Sequence, residues 1–125
     1  MRLDHECVRK LLLYYESNLT LTDSINVDGI DLSGFSAETV KYTTLKLAEA
    51  HFVDASVTPL LNGDYYVTVK AITWDGHAYL DTVRDNAVWK KTKSILSGVS
   101  SASVEIISNV ASNVITNMIC QPPPA

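Results

Sequence analysis

The pair Asn62-Gly63 constrains the fold of this chain more than any other part of its sequence. Asn-Gly is the strongest short-range signal for a β-hairpin, because both central positions of a type I′ turn need positive φ. Residues 65–71 then alternate between apolar and polar side chains, as a half-buried strand does. Pro59 lacks the backbone donor of a central strand, so it predicts that the outgoing strand lies at a sheet edge. We therefore expect a hairpin over residues 52–72 that is closed by a type I′ turn.

Two helices are predicted before this hairpin. Residues 3–17 begin with a capping residue, Asp4, and repeat apolar side chains at spacings of three and four. Residues 36–50 begin with Ser36 as the cap and should end at His51 in a left-handed conformation. The predicted buried faces are Cys7, Val8, Leu11, Leu12 and Tyr15 in the first helix, and Val40, Thr43, Thr44 and Leu47 in the second. The opposite face of the second helix, with Glu38, Tyr42, Leu45 and Glu49, is predicted to be exposed or covered by another element.

The segment between these helices is acidic and contains one short strand. Alternation around residues 24–27 predicts the strand, between two loops. Residues 18–40 contain four acids, Asp23, Asp28, Asp31 and Glu38, and no base. Their spacing does not match a calcium loop, so we expect a solvated acidic segment and not a metal site.

A third helix should follow the hairpin, with Thr73 as its cap and Tyr79, Leu80 and Val83 on its inner face. Trp74 and Trp89 are both expected in the core. Helix, short strand, helix, β-hairpin, helix is the order of a winged helix. The predicted fold class is therefore α+β, with a winged-helix-like domain over residues 1–96 followed by a C-terminal helix.

The end of the chain has a different character. Ser97-Gly98 is typical of a helix end, and a last helix is predicted over residues 99–120. Its apolar stripe consists of Val104, Ile107, Ala111, Val114 and Met118, and Glu105 is the only charged residue after Lys93. Two interpretations stay open, a packing helix of one subunit or a dimerisation helix that contacts a second copy. Residues 121–125, with three prolines, are expected to be disordered.

Composition argues against several classes of protein. Ten basic against 14 acidic residues give a net charge of -4, which argues weakly against a stand-alone nucleic-acid binder. The start of the chain lacks the pattern of a signal peptide, and no long apolar run is present, so we expect a cytoplasmic protein without membrane contact. Cys7 and Cys120 lie far apart in sequence and should be reduced thiols.

One group of residues could form a catalytic or metal-binding site. His77, Asp81 and Asp85 are four residues apart in succession and would share a stripe on one continuous helix. Carboxylates are also favoured early in helices, and no second histidine or nucleophile-base pair accompanies them. We therefore expect no catalytic, metal or cofactor site, and the protein is not expected to be an enzyme.

The residues around the second hairpin strand carry a family resemblance. The matching positions are Leu47, Glu49 and Ala50, then Thr73, Trp74, Asp75, Gly76 and His77, then Arg84, Asp85 and Trp89. In this pattern the chain resembles the phage and prophage family named domain of unknown function 2513. His51 departs from the glycine that is usual there, which affects only the end of the second helix. The resemblance implies a winged-helix-like fold encoded by phages or prophages, and it assigns no activity.

Two functions are compatible with these patterns. The first is a small DNA-binding transcriptional regulator, because a winged helix inserts its second helix into the major groove. Its candidate contacts are Lys41 and Lys46 in that helix and the cluster Lys90, Lys91 and Lys93. The alternative is a protein-interaction module that does not bind DNA, with Tyr42 and Leu45 as exposed contacts. The partners to be considered are thus DNA, a second copy of the chain through the C-terminal helix, or a host or phage protein.

Overall fold

The computed structural model describes residues 1–120, and within them the predicted α+β class is confirmed. The helices are α1 (His5–Asn18), α2 (Ala37–Glu49), α3 (Trp74–Val83), α4 (Asn86–Leu96) and α5 (Val104–Cys120), and the strands are β1 (Ile25–Asn26), β2 (Val53–Pro59) and β3 (Tyr65–Ile72). A short 3-10 helix, Val27–Gly29, lies between β1 and α2. The order through α3 is the predicted winged-helix order. The tail over residues 121–125, for which we predict disorder, lies outside the described residues.

Contacts divide the chain into two compact units, Met1–Ala78 and Tyr79–Ala125. The first unit contains α1, α2 and the sheet. The second contains α4 and α5, and the division falls inside α3. The domain boundary expected after residue 96 stays a prediction.

The three strands form one antiparallel sheet in the order β1-β3-β2. The central strand is β3, which pairs with β1 at Ile25 and Val69 and with β2 along its whole length. The edge position of β2, predicted from Pro59, is confirmed. A register shift between Asp54 and Ala55 interrupts the pairing at the start of β2. Such a bulge at one end and a proline at the other shorten the regular edge that another strand could extend.

The first two helices begin where the sequence predicts them to begin. Asp4 accepts hydrogen bonds from the amides of Glu6 and Cys7, and Ser36 accepts one from the amide of Thr39. Both predicted buried faces are buried. At their contact the Tyr15 hydroxyl and the Thr44 hydroxyl lie 2.7 Å apart in a hydrogen bond. His51 has the predicted left-handed conformation, with φ of 61°.

The hairpin turn differs from the prediction. The last strand pair is Pro59 with Tyr65, so the loop has five residues, and the amide of Gly63 donates to the Leu60 carbonyl at 3.1 Å. Gly63 has φ of 85°, whereas among the described non-glycine residues only His51 has positive φ. The type I′ prediction is therefore wrong, because Asn62 stays at negative φ. Its side chain instead accepts a hydrogen bond from the amide of Asp64 at 3.0 Å, which is the local bonding that asparagine provides in turns.

The last helix begins later than predicted. It starts at Val104 and not at residue 99, and the hydroxyl of Ser103 accepts a hydrogen bond from the amide of Ile106 at 3.2 Å. Serine favours helix caps over helix interiors, which explains why the serine-rich residues 100–103 precede the helix. Within residues 1–120, no helix combines the length and the apolar character needed to cross a membrane.

Candidate functional site

The face of α2 that would read DNA in a winged helix is held by ion pairs. Lys41 Nζ lies 3.1 Å from Asp28 Oδ1 and 3.1 Å from Asp64 Oδ1, so it joins the 3-10 helix and the hairpin loop to α2. The lysine side chain is only 15% exposed, while both carboxylates are largely exposed. Partial desolvation disfavours the charged amine, but the hydrogen bonds to Asp28 and Asp64 outweigh it and raise the pKa of Lys41.

The other members of this face also have partners inside the protein. Lys46 Nζ lies 3.0 Å from Glu49 Oε2 and 5.4 Å from the centre of the Tyr42 ring. The Tyr42 hydroxyl donates to the Met1 carbonyl at 3.1 Å. Tyr42 and Leu45 are both half-buried. Of the predicted contacts on α2, each lysine is therefore paired with carboxylate, and the two apolar residues are partly covered.

The lysine cluster on α4 is different. This helix begins with Asp85, whose carboxylate accepts a hydrogen bond from the amide of Val88 at 2.9 Å. Lys93 lies over the Trp89 ring, 5.8 Å from its centre. Lys90 and Lys91 are exposed, and in the part of the chain that the structure describes they form no ion pair. Two of the three predicted cations on α4 thus remain available to an external anion.

The predicted stripe of α5 is used mainly inside the chain. Ile107, Ala111 and Val114 are buried, Val104 is half-buried, and Met118 is exposed. The neighbouring helix α4 buries Val88, Trp89 and Thr92. A dimer formed through α5 would therefore depend on apolar residues that the single chain leaves exposed, which are Ile106, Met118 and Ile119.

His77, Asp81 and Asp85 do not lie on one helix. His77 and Asp81 belong to α3, which ends at Val83, and Asp85 is the cap of α4. Asp81 accepts a hydrogen bond from Arg84 at 3.1 Å. Burial raises the pKa of the Cys7 thiol, which disfavours the thiolate that a nucleophile needs. In residues 1–120 no three His, Cys, Asp or Glu side chains are placed to hold a metal ion.

Trp74 is the residue whose position the sequence prediction misjudged. It is 87% exposed, whereas Trp89 is 5% exposed, so the core prediction is wrong for Trp74 and confirmed for Trp89. At about 100° per residue, the first position of α3 lies opposite the face that carries Leu80 and Val83, which are both buried. This helical angle was the available signal, and the high apolarity of tryptophan concealed it.

The backbone at Trp74 is fixed by hydrogen bonds on both sides. The Thr73 hydroxyl donates to the His51 carbonyl and accepts from the amide of Gly76 at 3.1 Å, and the Thr73 amide donates to the Phe52 carbonyl at 3.0 Å. Gly76 packs so closely on the Phe52 carbonyl and Ile72 that a Cβ atom would not fit. Thr73 and Gly76 therefore fix the start of α3, and Trp74 is displayed from a rigid position.

These features describe an α+β protein that exposes a tryptophan at a hydrogen-bonded helix start and, among the described residues, two lysines without an ion pair. The chain belongs to the family described as "Hypothetical protein (DUF2513)", whose model matches residues 2–103, so the resemblance read from the sequence is confirmed. It is also similar to an uncharacterized protein from Haemophilus influenzae, with 31% identity over 120 residues, 95% of this chain and 99% of the relative. No solved structure matches the chain.

Proposed function

We propose that this protein is a non-catalytic protein-interaction module on a winged-helix-like scaffold, with Trp74 as its main contact residue. The observation that carries the proposal is the 87% exposure of Trp74 on a helix start whose backbone is fixed. A cytoplasmic location and an origin in a phage or prophage, both expected from the sequence, belong to the same proposal.

Energetics support a contact role for Trp74. A tryptophan buries about 200 Å² when it is covered, which at ~25 cal/mol per Å² corresponds to about 5 kcal/mol of apolar transfer free energy. Because α3 already fixes the backbone of Trp74, binding of a partner would cost little additional conformational entropy at this residue. Leu21 and Leu61 are also very exposed, but they lie in loops and not in a helix. Trp74 is thus the exposed apolar residue best suited to be an interface anchor.

The pairing of the α2 lysines supports the absence of a DNA-reading surface. Phosphate and base contacts need Arg, Lys, Asn or Gln side chains that can reach the duplex. Lys41 would have to leave two carboxylates, and Lys46 would have to leave Glu49, before either could do so. Asp28 and Asp64, both largely exposed beside α2, would also repel phosphate.

DNA binding remains the second candidate function, and one observation favours it. Lys90 and Lys91 are exposed on α4 and form no ion pair within residues 1–120. They could contact phosphate without any groove reading by α2. Such binding would be insensitive to sequence and strongly dependent on salt.

The interaction proposal is tested by crosslinking followed by binding. A benzophenone amino acid is placed at position 74, or at position 21 as an exposed apolar control, and the protein crosslinked in the producing cell is identified. The purified partner should then bind the Trp74→Ala variant at least 30-fold more weakly than the wild type, the effect of a hot-spot residue. Binding to the Leu21→Ala variant should be unchanged. Equal binding by Trp74→Ala would contradict the proposal.

The DNA candidate is tested by fluorescence anisotropy with fragments of the host genome at 50 and 200 mM salt. The interaction proposal expects that no fragment binds at either salt concentration. Binding that weakens with salt and is lost in the Lys90→Glu/Lys91→Glu variant would replace it with the DNA function.

A further inference from the structure

A groove between α4 and α5 has an apolar floor and a basic rim. It is a hollow of about 550 Å³ lined by Lys91, Ile95, Val114, Asn117 and Met118, and we refer to it as the α4/α5 groove. Val114 is buried at its floor, while Ile95 and Met118 are each 52% exposed. Each groove residue belongs to the Tyr79–Ala125 unit.

Lys91 is the only charged residue among the described residues that line the groove. Helix α4 contains three lysines and no acid. The only acid of α5 is Glu105, which precedes Asn117 by 12 residues and so lies about 18 Å away along the helix axis at 1.5 Å per residue. Lys91 lines the groove and forms no ion pair among the described residues. A ligand in the groove would therefore meet apolar side chains next to an unneutralised positive charge.

We propose that the α4/α5 groove is the docking site for an amphipathic helix of another protein, one that carries carboxylates beside its apolar face. The apolar side chains of that helix would cover Ile95, Val114 and Met118, and a flanking Glu or Asp would pair with Lys91. This is the helix-in-groove mode of recognition, in which burial supplies affinity and charge supplies selectivity. The proposal rests on different residues from Trp74 and goes beyond the function proposed above.

Charge distinguishes this occupant from a second copy of the chain. A symmetric dimer through the groove would bring the same surface of both copies together, and with it Lys91 of both. Like charges that face each other across an interface oppose association. An acidic partner removes this repulsion, which is why we favour it over the dimer.

The shape of the groove distinguishes the helix from a small molecule. Small-ligand sites usually bury most of the ligand surface. Here Ile95 and Met118, which line the groove, are each 52% exposed, so the groove would cover only part of the surface of a ligand. The flexible thioether of Met118 suits a surface that adapts to peptide side chains.

The test uses three labelled 16-residue helical peptides that share one leucine face and differ only in the flanking residues, which are Glu, Gln or Lys. Anisotropy should show that the full-length protein binds the Glu peptide at least tenfold more tightly than the Gln peptide, and the Lys peptide most weakly. In Lys91→Glu this order should reverse. In Met118→Gln all three peptides should bind more weakly.

Lys90→Glu is the matched control, because it makes the same charge change at an exposed position outside the groove. Equal losses in Lys90→Glu and Lys91→Glu, or equal binding of the three peptides, would overturn the proposal. A dimer that is detected by sedimentation and that Met118→Gln dissociates would also overturn the proposal, since a second copy would then occupy the groove.

Trp74→Ala should leave peptide binding unchanged, so this proposal and the proposed function can fail separately. Far-UV circular dichroism of each variant verifies that it is folded.

Discussion

The two units of this protein differ in their charge balance and in whether the lysines of their helices form ion pairs. The Met1–Ala78 unit has six Lys and Arg against eleven Asp and Glu, and Lys41 and Lys46 are both paired with carboxylates. The Tyr79–Ala125 unit has four basic and three acidic residues, and Lys90 and Lys91 form no ion pair within residues 1–120. The lysines of α2 in the first unit are thus paired with carboxylates, whereas two lysines of α4 in the second unit are exposed and available for recognition.

This difference separates fold from function. The elements of the first unit follow the winged-helix order, but the two lysines of α2 are paired with carboxylates of the same chain. The second unit has no sheet among its described residues, yet it displays the unpaired cations and a groove. Function therefore has to be argued from the individual surfaces and not from the order of elements.

The largest expected effect comes from comparing the two tryptophans. Trp89→Ala should cost about 3 to 5 kcal/mol of unfolding free energy, because it removes a buried side chain of the second unit. Trp74→Ala should change that free energy by less than about 0.5 kcal/mol, because the side chain is exposed. Urea unfolding followed by far-UV circular dichroism measures both. A cost above about 1 kcal/mol for Trp74→Ala would mean that Trp74 stabilises the fold and is not held for a partner.

The same two residues show how far the sequence could predict this structure. Helix caps, buried faces and the hairpin follow local rules, so Asp4, Ser36 and Thr73 all cap helices where those rules place them. The core prediction fails at Trp74 because tryptophan is strongly apolar, whereas its angle on α3 places it opposite the buried face. The bridge from Lys41 to Asp28 and Asp64 could not be predicted, because it joins residues that are brought together only by the packing of the hairpin loop on α2.

The second largest effect tests whether close packing of Gly76 fixes the backbone at the start of α3. In Gly76→Ala the new Cβ would clash with the Phe52 carbonyl oxygen and lie 2.7 Å from Cγ2 of Ile72. Overpacking against backbone costs about 1 to 3 kcal/mol, so the midpoint of urea unfolding should fall accordingly. Gly98→Ala is the control from the second unit, where no atom lies within 4 Å of the new Cβ. Similar small effects in both variants would remove the support for a fixed Trp74.

A third prediction compares buried tyrosines, one from each unit. Burial raises the pKa of Tyr15 and of Tyr79 above the ordinary value of about 10. A raised folded pKa contributes stability that is complete below the unfolded pKa and is lost as pH rises through the folded pKa. Wild-type stability should therefore fall above about pH 10, by up to ~1.4 kcal/mol per pH unit for each tyrosine.

Tyr15→Phe should remove the Tyr15 share of this alkaline slope, and Tyr79→Phe the other share. At neutral pH Tyr15→Phe should also cost about 1 kcal/mol, because it breaks the hydrogen bond with Thr44. Urea unfolding at intervals between pH 8 and 11.5 gives both quantities. Burial also raises the pKa of Cys7. Taking differences from the wild type cancels the contribution of Cys7 to the slope. An unchanged slope in either variant would mean that the corresponding hydroxyl becomes exposed before global unfolding.

The smallest effect concerns the ion pairs of Lys41 with Asp28 and Asp64 in the first unit. Lys41→Met should lower the unfolding free energy by less than about 1 kcal/mol, because both carboxylates of the bridge are more than half exposed to solvent. Lys70→Met is the control, since Lys70 is exposed and forms no ion pair within the described chain.

The amide of Tyr65 and Lys41 together lower the pKa of Asp64, so the bridge contributes stability that is lost as pH falls through the folded pKa of Asp64. The difference between wild type and Lys41→Met should accordingly shrink at low pH and in 1 M salt. A loss above about 2 kcal/mol that is insensitive to salt would show that the aliphatic part of Lys41, and not its charge, holds the hairpin loop on α2.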